Sequence, residues 1–244
     1  MQNDQQDVLH NITIKNCLIA GNVGGGIVVS YSGLTSQTPL PLNITFTGCH
    51  LPGDAGGAAF RMYWSAHGNA TSGHPLGSVT FENGFILNSV DAAIRIYGQA
   101  SAAFKLADTL IANPGRSAGY IAERLAPVLV TVACTNPRCG GEAPCGQGEI
   151  TIRNVTIFDT HSRPFFTASN TSCGIGATFQ VHNPNGCQQQ LGSKAAQRHV
   201  KASFNCTAGR AVLAAAAKTD DNETDTSHIQ IMPEMYGQLP CSTY

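Results

Sequence analysis

The chain has 244 residues, of which only 12% are charged, and a formal net charge of −1. That length suffices for one large domain or two small ones, and 14 basic against 15 acidic residues exclude the concentrated basic field that nucleic acid requires. No apolar run approaches the roughly 18 residues that cross a bilayer, and 42% hydrophobic residues argue against a disordered chain.

Read from the N-terminus, the segment Asn11-ITIKNCLIAGN opens with apolar Ile12 and Ile14 alternating with polar Thr13 and Lys15. That is the period of a half-buried strand. Asn16 then stands at a corner, where Asn or Gly tolerates a left-handed backbone. A second apolar stretch follows, then the Gly21 to Gly26 turn, then a further strand through Val28, Val29, Ser30 and Tyr31. The turn lacks the G-x-G-x-x-G order of a nucleotide loop.

The same grammar returns in Asn43-ITFTGCHLPGD, with Gly48 at the corner and Phe60 to Tyr63 as the later strand. It returns again in Ser78-VTFENGFILNS, with Asn83 and then Ile94 to Tyr97, and in Glu149-ITIRNVTIFDT, with Asn154. Weaker copies surround Phe104, Val128 to Val132 and Phe166. With Ile14 as the marker, equivalents fall at Phe46, Phe81, Phe104, Val128 and Ile152, spaced 32, 35, 23, 24 and 24 residues apart. Three short strands and their corners need about that many residues at roughly 3.3 Å each. The pattern predicts a solenoid of stacked parallel strands. A β-sandwich is the competitor, but it would place hairpin dipeptides between strands, whereas Asn83-Gly84 falls at the repeating corner. After the repeats, residues 208–218 (AGRAVLAAAAK) are Ala-rich and predict a short helix. The resulting layout is a repeat domain over 1–207, with a Cys-rich loop at 133–147, and an extension over 208–244.

Nine cysteines and seven Asn-x-Ser/Thr sequons point to the secretory pathway. The sequons begin at Asn11, Asn43, Asn69, Asn154, Asn170, Asn205 and Asn222, where chance would give about two or three. Cys134, Cys139 and Cys145 lie among Gly and Pro, and their spacing fits disulfides better than the paired knuckles of a zinc site. An odd cysteine count leaves one thiol without an internal partner. The polar start Met1-Gln-Asn-Asp is no signal peptide, which fits a mature or excised segment of a longer secreted protein.

Register then assigns columns. Cys17 and Cys49 each lie three residues after their markers, so a disulfide is predicted between neighbouring strands about 4.8 Å apart; two buried thiols are the alternative. Asn11 and Asn43 share a solvent-edge column and are expected to carry glycans, as are Asn69, Asn170, Asn205 and Asn222. Asn154 joins the corner column with Asn16 and Asn83, where stacked amides hydrogen-bond along the axis, so its sequon is expected to be silent. On the later strands Arg61 aligns with Arg95, and Tyr31 with Tyr63 and Tyr97, with Trp64 beside them. Two long inserts rise from that edge, the second holding His67 and His74. Aromatic faces stack on sugar rings and guanidinium groups grip carboxylates, so the strip suits an acidic glycan; an ordinary exposed strand face reads the same way.

Over residues 8 to 207 this repeat grammar resembles the right-handed parallel β-helix proteins of the pectate-lyase-like superfamily. The resemblance implies an all-β, single-stranded right-handed parallel β-helix with long loops and a short C-terminal extension. Lyases of that kind hold calcium on clustered Asp, but Asp54, Asp91 and Asp159 fall in different turn registers. The hydrolase branch carries Gly-His-Gly and Arg-Ile-Lys segments, which Gly73-His74-Pro75 and Arg95-Ile96-Tyr97 break. Epimerases carry Asp-Pro-His, of which Asp159-Thr160-His161, with Arg163 nearby, is a loose echo; a polar turn with an exposed His is the simpler reading. The expectation is a secreted glycoprotein module without catalysis, a scaffold or a glycan-binding surface that takes polysaccharide or glycoprotein glycans. The alternative is a lyase or uronate epimerase on acidic glycans, with Arg61, Arg95, Asp159 and His161 as candidate catalytic residues. No metal or cofactor is expected, save calcium if the protein is a lyase. The first strands lack a cap, so another chain segment or subunit is expected to cover their unpaired backbone edge.

Overall fold

The computed structural model describes residues 11–31, 42–53, 57–64, 77–99, 103–133, 150–169, 174–191 and 200–208. In chain order the first pass comprises β1 (Asn11–Lys15) and β2 (Ile27–Tyr31). The second comprises β3 (Leu42–Thr47), β4 (His50–Pro52) and β5 (Phe60–Trp64), and the third β6 (Gly77–Glu82), β7 (Phe85–Leu87) and β8 (Ile94–Gln99). Then come β9 (Ala103–Ala112), α1 (Ala118–Ala122) and β10 (Val128–Ala133). The last passes are β11 (Ile150–Phe158) with β12 (Pro164–Ala168), β13 (Ile175–His182) with β14 (Gln188–Leu191), and β15 (Val200–Thr207).

All pairings between these strands are parallel, and the chain alternates between two sheets. Sheet A runs β1-β3-β6-β9-β11-β13-β15, with β4 and β7 alongside, and sheet B runs β14-β12-β10-β8-β5-β2. Parallel neighbours cannot be joined by a hairpin, so each return to a sheet adds one strand at the same edge. The sandwich alternative is thereby set aside. The connectivity is that of an all-β protein compatible with a solenoid.

The strands form because their apolar residues alternate: in β6 and β13 every second side chain is buried. Buried Phe46, Phe60, Phe81 and Phe104 pack with ring centroids 5.4–6.5 Å apart, and Phe165, Phe166 and Phe179 continue the core toward β15. The corners take the predicted left-handed backbone, but Gly48 and Asp108 interrupt the expected stack of amides. Asn16, Gly48, Asn83, Asp108 and Asn154 all have φ between 48° and 66°, and Asn154 Nδ2 donates to Asp108 Oδ1 at 2.8 Å. A second corner repeats the device, Asn113 Nδ2 donating to Asn88 Oδ1 at 2.8 Å.

Cys17 and Cys49 form the expected disulfide, with Cα atoms 4.5 Å apart. Asn11 and Asn43 are register partners, and Asn43 Nδ2 donates to Asn11 Oδ1 at 3.1 Å. A second disulfide, Cys187–Cys206, which the sequence did not mark, ties the turn after β13 to β15.

Three alignments need correction. Phe81 pairs with Leu106, and Phe104 with Val79. A two-residue slip keeps every apolar side chain on the same face, so alternation alone cannot detect it. Val128 is no marker equivalent, because β10 lies in sheet B with Val128 opposite Ile94; strands of both sheets share period 2. Tyr31 pairs with Trp64, while Ser30 is the residue opposite Tyr63. The two inserts, the second holding His67 and His74, the sequons at Asn69, Asn170 and Asn222, Asp54, residues 1–10, the Cys-rich loop beyond 133 and the extension beyond 208 lie outside the described residues.

Candidate functional site

On sheet B, Phe60, Met62, Ile94 and Ile96 turn inward and are buried, which leaves the intervening residues on the outer face. There Arg61 is opposite Arg95 and Tyr63 opposite Tyr97. The tyrosine rings are 4.9 Å apart and tilted by 40°, and the Arg95 guanidinium lies over the Tyr97 ring at 5.1 Å. Two like charges directly opposite would repel; the ring beneath Arg95 supplies electron density that offsets this in part. Arg61 is held back, its Nη2 donating to Gly24 O at 3.4 Å. Arg95 is exposed and, among the described residues, is engaged by the Tyr97 ring. The strip therefore consists of Tyr63, Arg95 and Tyr97, with Arg61 half-buried at its side. Trp64 continues β5 opposite Gly98.

The strip extends one strand further into polar hydroxyls. Thr131 lies opposite Tyr97 and shares a 3.2 Å hydrogen bond with Ser169. Leu129, opposite Arg95, instead packs on a small apolar cluster with Ala58, Ala92, Tyr120 and Leu125. Helix α1 brings Tyr120 there: Ser117 caps its start by accepting from Tyr120 N, and the phenol donates to Ala126 O at 2.6 Å. Burial pushes the Tyr120 hydroxyl well above its usual pKa, with the Arg163 charge opposing.

Beneath Tyr120 lies a cluster that corrects the reading of Asp159 and His161 as an open turn. Asp159 and Arg163 are both 1% exposed and form a bidentate pair, Nε to Oδ2 at 2.8 Å and Nη2 to Oδ1 at 3.1 Å. Arg163 also donates to Gly115 O at 3.1 Å and to Pro114 O, and its guanidinium faces the Tyr120 ring at 5.8 Å. His161 is half-buried, with Nδ1 3.0 Å from Asp159 Oδ1, and its carbonyl accepts from Asn183 Nδ2 at 2.9 Å. Burial inverts the sequence expectation because a carboxylate and a guanidinium satisfy each other's hydrogen bonds once the corner folds over them. Their four-residue spacing was a legible signal for this pair; nothing local marked Pro114 and Gly115 as acceptors.

The other acidic groups along the strands are engaged. Glu82 pairs with Lys105 at 3.1 Å, Asp108 with Arg153 at 3.7 Å, and Asp91 accepts from Ser117. Among the described residues no three His, Cys, Asp or Glu side chains gather as metal ligands, and no helix is long and apolar enough to cross a membrane. Compared with known protein families, with curated proteins and with solved structures, the chain matches none.

Proposed function

We propose that the chain is a right-handed parallel β-helix of the pectate-lyase-like kind, and that it serves as a secreted glycoprotein module that binds glycans without turning them over. The hand follows from the crossover rule, since a parallel strand returned to the same sheet is right-handed in about 98% of cases. The two disulfides and the seven sequons support an oxidising, secretory setting. The single observation that carries the binding function is the Arg95 guanidinium seated over Tyr97, beside Tyr63, on the outer face of sheet B. A pre-stacked cation and two rings offer an apolar platform and a carboxylate fork at little ordering cost.

A second reading is favoured by one contact. His161 sits on Asp159 through Nδ1, the arrangement that orients an imidazole as a general base, so an epimerase or lyase acting on acidic glycans is the alternative. Titration of the secreted protein with uronic-acid and with neutral oligosaccharides tests the first reading. Binding that prefers the acidic series and falls about tenfold or more in Arg95→Ala and Tyr97→Ala is the expected result. Ultraviolet-absorbing unsaturated uronide, or inverted uronate stereochemistry, that disappears in His161→Gln would establish the enzyme instead. Neither binding nor turnover would leave a scaffold alone.

A further inference from the structure

The outer face of sheet A carries a groove of about 400 Å³ at the end of the described stack, bordered by Arg153, Asn154, Thr178, Gln180, Phe204 and Asn205. That volume falls at the lower end of the roughly 300–1,000 Å³ typical of small-ligand sites. Besides Arg153, Phe179 and Phe204, the residues along it carry amides and hydroxyls. Arg153 leans on Asp108, and Asn154 is fixed in place, Nδ2 on Asp108 and backbone N on Thr178 Oγ1 at 3.1 Å. Phe204, in register with buried Phe179 and packed on Phe165 with ring centroids 5.0 Å apart, turns toward the core and is 38% exposed at the edge of the described stack.

Asn205 is both a border of this groove and the acceptor of the sequon Asn205-Cys206-Thr207. A glycan attached there begins at the border of the groove. Register runs from Asn205 to Gln180 and Thr156 on successive strands, so a polar row of three leads from the attachment point along the sheet. Cys206, the next residue, is anchored to Cys187, which holds the attachment point still and lowers the entropy lost when a sugar settles.

We infer that the groove seats the first sugars of a neutral N-linked glycan carried on Asn205. Their acetamido and hydroxyl groups meet Gln180, Thr178 and Asn154. The inference rests on the secretory reading above but concerns the opposite sheet from the Arg95 strip.

The test is glycopeptide mass spectrometry and hydrogen exchange on the full chain secreted from a eukaryotic host. Asn205→Gln and Thr207→Ala remove the sequon in different ways, and enzymatic deglycosylation of the folded protein supplies a third route. The expected result is an occupied Asn205 and exchange at 153–156 and 178–180 that quickens several-fold, alike by all three routes. An unmodified Asn205 in protein that carries sugar at Asn11 overturns this inference alone, and unmodified asparagines throughout overturn the secretory reading with it. Exchange unchanged by glycan removal also overturns the inference. So does protection that arises only when free oligosaccharide is added to the unglycosylated chain, because the groove then serves an external ligand.

Discussion

Asp159 and Arg163 bury opposite charges together at a corner, and Arg163 gives two further donors to carbonyls of the preceding pass. Such a pair contributes little net stability over an apolar replacement, but a lone survivor is costly. Arg163→Met should therefore destabilise the protein by about 3–5 kcal/mol, read as a lower midpoint in urea. The double change Asp159→Leu with Arg163→Met should recover much of that loss; an equal or deeper loss would show that the ties to Pro114 and Gly115 matter more than the charge. Gly115 shows how tight the packing is: its φ is +58°, and a Cβ there would lie 2.7 Å from both Arg163 Nη1 and the Tyr120 ring. At this scale the sequence was half legible. The spacing of Asp159 and Arg163 was visible, but their burial depends on a carbonyl pair nearly fifty residues away, which no local pattern encodes.

Strands and corners were the most readable elements, because two signals coincided there: alternation, and Asn or Gly at the left-handed position. Asn16, Asn83 and Asn154 were placed correctly on that basis. What failed was the step between equivalent positions, since Val79 and Phe81 face the same way and either could match Phe104. The corner column makes its own prediction. Asn154 combines φ of 51° with the bond to Asp108, so the two contributions separate by substitution. Asn154→Gly should lose only the hydrogen bond, about 0.5–1.5 kcal/mol. Asn154→Val adds the penalty of a β-branched side chain at a left-handed position, which Asn tolerates, about 1–2 kcal/mol more. Thermal unfolding of the two variants checks the order; equal losses would mean that the corner relaxes.

Taken whole, the described stack is bound at both ends by covalent ties. Cys17–Cys49 joins its first two passes, and Cys187–Cys206 holds β15. Among the described residues a strand at either end has one neighbour instead of two, so local opening should begin there. A crosslink closing a 32-residue separation supplies about 3–4 kcal/mol in the chain-entropy account, placed where neighbour contacts are halved. Replacing Cys17 and Cys49 by Ala should quicken amide exchange over 11–31 and 42–53 while β9 and β11 keep their protection. Replacing Cys187 and Cys206 should do the reverse, at 187–191 and 200–208. Uniform acceleration in either variant would mean that the molecule opens as one unit. The first bond was readable because both cysteines follow aligned markers; the second spans a turn and a strand with no repeat to align. The same register has a further outcome. Every link from sheet B back to sheet A differs in length, from three residues at 100–102 to sixteen at 134–149, yet the strands on either side stay paired in order. One flank can thus gain or lose material in evolution, or accept an engineered epitope, while the hydrogen-bonded rows behind it stay undisturbed.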